Sequence, residues 1–204
     1  MKESDVVLGV IKRRRSVRRF DGAKIPHEAM EQILEAGRWA PSGANAQPWR
    51  FIVITEKETL EAVARRCYYK IFRSRHVGEA GAVLVVCADP GAGSQTYTLD
   101  AAISGTNMTL MATSLGIGSC WIGAFEDEFL KNILHIPGRL EIIALIAFGY
   151  EIGEASVPPR LPLSSIVHYE AYDGINEPGI ITKKRSSGAF SVFGKLLGVL
   201  FNKR

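Results

Sequence analysis

Residues 40–54 read "APSGANAQPWRFIVI". Two kinds of chain meet inside this stretch. Pro41 and Pro48 stiffen the ends of a loop, because each ring fixes φ and removes a backbone donor. Gly43 lets the backbone come close to another group. Ser42, Asn45 and Gln47 offer a hydroxyl and two amides within six residues. Neutral donors and acceptors on a stiff loop suit the polyol and heteroaromatic edge of a small ligand. The plain alternative is a loop that only ends a helix. "RFIVIT" then predicts a short strand, since it is rich in β-branched residues, and Trp49 is expected in the core under either reading.

Upstream, residues 12–20 read "KRRRSVRRF", in which six of nine side chains are cationic. Such a run is most often solvated or bound to a polyanion. The serine changes the weighing. Arg14, Ser16 and Arg18 alternate, so an extended segment projects them from one side. Two guanidinium forks and a hydroxyl on one side can hold a single phosphate. Phe20 closes the segment against the core. Ser4 predicts the cap of a preceding helix with Val6, Val7, Val10 and Ile11 at helical spacing. A second helix is expected in residues 25–41, with Met30, Ile33, Leu34 and Gly37 on one face and Pro41 at its end.

Downstream, residues 57–67 and 126–134 read as helices. Residues 82–89 and 140–150 read as buried strands, apolar without alternation. Residues 97–115 form a long helix, small and apolar nearly all round, which predicts burial or a subunit interface. "GSCWIGAF" (118–125) is a short strand or turn, and "LPLSSIVHYE" (161–170) a late extended segment. Interspersed strands and helices give an α+β, or mixed α/β, class. The tail 174–204 stands apart from a domain of residues 1–173. Within it, Phe190, Phe193, Leu196, Leu197, Leu200 and Phe201 recur at helical spacing beside lysines. Packing is the ordinary reading of that short helix, and a weak membrane-surface contact the sharper one.

Composition excludes several classes. The chain has 204 residues, 47% hydrophobic and 23% charged, with a net charge of +4. The positive excess is local rather than spread over a face, so no nucleic-acid partner is expected. Three cysteines without a CxxC pair argue against a disulfide framework and for a reducing, cytoplasmic setting. No run approaches the roughly 20 apolar residues of a membrane span. His27, His76, His135 and His168 are scattered, so no metal site is expected. "VLVVCADPGAG" lacks the third glycine of a dinucleotide fingerprint and reads as a plain loop. No serine elbow or Walker loop is present.

These pieces together resemble the FMN-dependent nitroreductases. "RRRSVRRF" is similar to that family's phosphate segment, and "APSGANAQPWRFIVI" to its Pro-Ser-x-x-Asn-x-Gln-Pro-Trp loop and following strand. "LGIGSCWIGAF" is similar to the segment beside the flavin ring, and "PPRLPLSSIVHYE" to its C-terminal phosphate arginine and last strand. The four matches stand in the family's order over about residues 10–172. The resemblance implies a largely antiparallel mixed sheet flanked by helices in an intertwined homodimer. It implies that Arg14, Ser16 and Arg18 bind the FMN phosphate, with Arg15 close by and Arg160 reaching it from the far end of the chain. Pro41, Ser42, Asn45 and Gln47 would contact the ribityl chain and ring. The backbone at Ile122 and Gly123 would lie near the reactive ring nitrogen.

The implied chemistry is ping-pong hydride transfer from NADH or NADPH through FMN to a nitroaromatic or quinone-type small-molecule acceptor. The flavin carries that chemistry, so no catalytic side chain is expected. Two alternatives stand beside it: a flavin-binding or flavin-processing protein without NAD(P)H-driven nitroreduction, and a polyanion binder. Residues 68–80 match nothing assignable.

Overall fold

The computed structural model describes residues 2–69 and 72–172. Its centre is β4 (Ala82–Ala88), which is buried along its whole length. Strands β1 (Trp49–Ile54) and β6 (Glu141–Gly149) flank it, and β5 (Gly118–Ile122) pairs with the far side of β6. The order is β1-β4-β6-β5. All three ladders are antiparallel. The continuous apolar run of β4 reflects cover on both faces rather than parallel pairing.

On one face Val83, Val85 and Cys87 pack with Leu60 and Val63 of α3 (Lys57–Ala64) and Leu130 of α5 (Asp127–Ile133). On the other, Leu84 and Val86 pack with Ile33 of α2 (His27–Arg38) and Met108 and Ala112 of α4 (Tyr97–Ser114). Trp49 is buried, as its sequence predicts. The expected face of α2 is largely present: Met30, Ile33 and Gly37 are buried, and Leu34 is half-buried.

Gly37 is where α2 meets α4. A Cβ there would lie 2.0 Å from Met108 Cε and 3.0 Å from Ser104 Oγ. Ser104 Oγ donates to Gly37 O at 2.8 Å, and Asn107 Nδ2 donates to Ala36 O at 3.2 Å. Two polar side chains of α4 thus donate to carbonyls in the last turn of α2, where Gly37 O also accepts the Ala40 N–H at 3.1 Å. The outward side of α4 is not covered in the single chain: Leu99 is 57% exposed.

Helix α1 (Glu3–Arg13) carries acids in its first turn and bases in its last, as the helix dipole favours, but buries no residue. Its cap is Lys2 rather than Ser4, and no side-chain hydrogen bond supports it. Within residues 68–80, β2 (Tyr68–Tyr69) and β3 (Phe72–Arg73) form a small separate ladder.

The chain divides into two compact units, Met1–Val157 and Pro158–Arg204. The boundary expected at 173/174 falls inside the second. In that unit the late extended segment is instead a 3-10 turn at Leu163–Ser165, with Ser165 Oγ donating to Pro162 O at 2.8 Å. A serine that satisfies a backbone carbonyl three residues back favours a turn over a strand. The tail helix expected in 174–204 lies outside the described residues. No helix among those described is long and apolar enough to cross a membrane.

The Gly37 contact carries a direct expectation. Gly37→Val should lower the unfolding free energy by about 1–3 kcal/mol, the usual cost of overpacking a tight contact. Urea denaturation followed by tryptophan fluorescence measures it, and an unchanged midpoint would refute this account of the α2–α4 contact.

Candidate functional site

Strand β5 is an edge of the sheet, so one row of its backbone groups is left for another segment. The arginine run takes one position of it, at Ser119. Ser16 bridges Ser119 in parallel, and Val17 N–H donates to Ser119 O at 2.9 Å. Further along, Phe20 bridges Glu151, Ile152 N–H donates to Arg19 O at 3.0 Å, and Asp21 N–H to Tyr150 O at 3.1 Å. Val17 and Phe20 are the buried anchors, 3% and 4% exposed. Two glycines make room for them. A Cβ on Gly118 would lie 2.8 Å from Val17 Cγ2, and one on Gly149 would lie 2.8 Å from Phe20 Cδ1.

The docked segment has two sides. Arg18 and Arg14 both lie close enough to Cys120 to oppose the burial that raises its thiol pKa. Arg13, Arg15 and Val17 instead line a cavity with Thr113, Ser119 and Glu151. Arg15 Nη1 donates to the carbonyls of Lys12 and Arg14. The alternation read from the sequence thus separates Arg14 and Arg18 from Arg13 and Arg15. It also gives Arg15 a different wall from the three residues it was expected to join.

The loop 41–47 is held from below. Asp100, 3% exposed, accepts Ser94 Oγ at 2.6 Å, Thr96 Oγ1 at 3.2 Å and the Gly43 N–H at 3.3 Å. Within the loop, Ser42 Oγ accepts the Gln47 N–H at 3.0 Å, and Gln47 Nε2 donates to Asn45 O at 3.2 Å. Ala44, Asn45 and Gln47 have φ of 50°, 56° and 47°. Left-handed backbone at three non-glycine residues is strained and persists only where the surroundings impose it. Gly43 has a structural reason as well as the one expected: its Cβ would lie 2.9 Å from Ser94 Oγ. The "DPGAGSQT" stretch, rejected as a nucleotide loop, therefore supplies part of this clamp. Pro41, Asn45 and Gln47 are exposed and Ser42 is half-buried, so the loop's polar groups reach the surface.

One chain does not bring all these residues together. The loop leads into β1, and the arginine segment lies along β5, at opposite edges of the sheet. Three strand spacings of ~4.8 Å put about 14 Å between those edges. The two groups also lie at opposite ends of the strands. Trp49 pairs with Ala88, near the start of β6, while Gly118 pairs with Gly149 at its close. Ile122 and Gly123 stand on the arginine edge. Ile122 is buried, and a Cβ on Gly123 would meet nothing within 4 Å. Arg160, in the second unit, donates to the neighbouring Pro158 and Pro159 carbonyls at 3.2 and 3.5 Å.

A histidine outside the sequence argument joins the arginine edge. His76 Nε2 is buried with no hydrogen-bond partner, and its pKa is lowered by burial and then by the charge of Arg18. The only signal in the sequence was a histidine inside residues 68–80, which matched no motif. The three free cysteines offer no thiolate. Burial pushes Cys67 up to about 12 and Cys87 to about 11, and it raises Cys120 as well.

Comparison with known proteins identifies the family. A profile described as the nitroreductase family matches residues 11–75 and 69–150. A protein of Archaeoglobus fulgidus, provisionally named an NADH dehydrogenase/NAD(P)H nitroreductase, is 32% identical over 184 residues, covering 87% of this chain and 97% of its own. A nitroreductase family protein from Clostridium difficile has a similar crystal structure, with a TM-score of 0.68 at 31% identity over 80% of this chain and 97% of its own. An FMN-dependent nitroreductase from the same species superposes with a TM-score of 0.73 at 26% identity, covering 81% and 99%. With its profile spanning most of the sheet and both edge segments, the chain belongs to the nitroreductase family.

Proposed function

We propose that this nitroreductase-family oxidoreductase binds FMN in a homodimer and passes hydride from NADH or NADPH to nitroaromatic or quinone-type acceptors. One observation carries the reading. Arg14 and Arg18 both lie near Cys120 of β5, on a segment whose Val17 pairs with Ser119, and Arg18 also lies near His76, whose Nε2 is orphaned. The names of relatives, among them NAD(P)H nitroreductases and an FMN-dependent enzyme, support the electron donor and the cofactor.

The residues present fit a flavin mononucleotide. Arg14 and Arg18 supply fixed donor forks, and Ser16 a hydroxyl, for a phosphate. His76 Nε2 is a buried group in need of a partner. Gly123 leaves the open space that a flat ring requires. When bound, FMN supplies the hydride chemistry in both halves of the turnover. The chain binds, orients and screens. Arg14 and Arg18 hold negative charge by charge-assisted hydrogen bonds. Ser42, Asn45 and Gln47 present neutral groups from a loop whose shape Asp100 imposes. Arg160 is a further candidate for the phosphate on the resemblance alone.

The homodimer follows from the distance between the two edges. In a dimer, the loop of one protomer completes the arginine edge of its partner. Val6, Val7, Leu8 and Ile11 of α1, with Trp39 and Leu99, are exposed apolar side chains that a second copy would cover. Such a surface on an isolated protomer marks an interface.

Four measurements test the reading. Arg14→Ala and Arg18→Ala should each raise the FMN dissociation constant about tenfold or more, the loss of one charge-assisted bond, while Arg13→Ala and Arg19→Ala should do much less. Fluorescence quenching of FMN decides this, and equal small effects across all four would point to a plain polyanion patch. Bleaching of the yellow holoprotein by NADH or NADPH separates the oxidoreductase from a flavin-binding protein without turnover.

Gly118→Ala should also weaken FMN binding, although it removes no contact group, because it lifts Val17 and the arginine segment off β5. Finally, Arg14→Ala/Arg18→Ala protein and an Asn45→Ala/Gln47→Ala variant, each weak alone, should regain about a quarter of wild-type sites when unfolded and refolded together, as random pairing in a twofold dimer gives. No recovery would overturn the shared site.

A further inference from the structure

The other side of the arginine segment is unused by the function proposed above. Arg13, Arg15, Val17, Thr113, Gly116, Ile117, Gly118, Ser119 and Glu151 line an open cavity of about 270 Å³. It lies between the C-terminal ends of α1 and α4 and the start of β5.

Two features set it apart from an ordinary surface dent. The first is Ser119. Its side chain is 1% exposed, and its Oγ is buried without a hydrogen-bond partner. A buried hydroxyl left unpaired costs about 1–3 kcal/mol, so such groups are normally satisfied by a neighbour or by something bound. The second is uncommitted charge. Neither Arg13 nor Arg15 closes a salt bridge with Glu151 or any other carboxylate among the described residues. Arg15 spends Nη1 on the carbonyls of Lys12 and Arg14 and keeps its other donors. Unlike charges placed around one cavity without meeting are arranged for a guest rather than for each other.

We propose that this cavity is a second site, independent of FMN, for a small oxyanion of the phosphate class that carries a hydrogen-bond donor at its far end. Arg13, Arg15 and the Ser119 hydroxyl supply donors to the oxyanion. Glu151 on the exposed rim supplies an acceptor, as does Thr113, whose own hydroxyl hydrogen goes to Thr109 O at 2.8 Å. Dihydrogen phosphate and phosphate monoesters with a nearby hydroxyl meet both demands. A phosphomonoester dianion with no hydroxyl meets only one, and the second charge of any dianion is repelled by Glu151. The volume, about nine waters at ~30 Å³ each, leaves room for a phosphate and part of a group attached to it. A bare cation is excluded by the two guanidinium groups, and an apolar guest would leave Ser119 Oγ still without a partner.

The test uses full-length protein saturated with FMN, so that the flavin phosphate site is filled. Inorganic phosphate is titrated by calorimetry at pH 6.5 against chloride at matched ionic strength. Saturable binding, one per chain, is expected. Arg13→Ala should weaken it about tenfold, as loss of one charge-assisted bond does, with FMN affinity changed much less than by Arg14→Ala. Glu151→Gln should raise the affinity for phosphate at pH 8, where the dianion prevails, relative to its effect at pH 6.5. Circular dichroism confirms that each variant is folded. No saturable binding to the FMN-loaded protein would overturn the proposal. So would binding that appears only in flavin-free protein, or binding that Arg13→Ala leaves intact. If the chain takes up no FMN at all, the same titration on Arg14→Ala/Arg18→Ala protein still decides for or against the cavity.

Discussion

The pairing of Val17 N–H with Ser119 O is the contact on which the candidate site depends. It fixes a polycationic segment in extended form, which its own charges would otherwise spread through solvent. Only an edge strand offers the backbone groups to do this, and only glycine at 118 and 149 lets Val17 and Phe20 sit flat enough to be buried. Alternation then sorts the cations onto two walls. Without the docking, the same residues would form a diffuse basic patch with no preference for any one phosphate.

The second half of the site rests on a different device. Asp100, buried at the first turn of α4, gathers Ser94, Thr96 and the Gly43 amide. That arrangement holds three non-glycine residues in left-handed backbone. Each such residue costs of order 1–3 kcal/mol, and the hydrogen bonds converging on one carboxylate help to offset it. Strain kept in a loop of exposed amides, where it does nothing for the core, is a common mark of a surface shaped for a ligand. The two devices sit at opposite edges of one sheet, and this separation is why a second copy of the chain enters the functional reading.

Much of this was legible in the sequence. The unbroken apolar runs of β4 and β6, the apolar face of α2, and the alternation of Arg14, Ser16 and Arg18 all follow from side-chain period and can be read without coordinates. What escaped has a common cause: it depends on neighbours distant in sequence. Gly43 read as a ligand-facing glycine because nothing near it announces Ser94 and Thr96. Arg15 read as lying close to the phosphate, because spacing does not say where the chain leaves its helix and begins to alternate. Residues 161–170 read as extended because their composition suits a strand, whereas Ser165 closes a turn on Pro162. His76 carried no local signal at all.

The docked arginine run has a consequence for solubility. An exposed edge strand invites pairing with the edge of another molecule, and natural sheets guard such edges with charge. Here β5 would present "GSCWI" as a bare apolar edge. The segment that covers it carries like charges along its outer side, so a second sheet edge approaching it meets repulsion instead of free amides. Deleting or neutralising the run as a whole would therefore do more than empty a binding site. It would uncover the outer edge of β5 at Ser119, and the first symptom would be aggregation on expression.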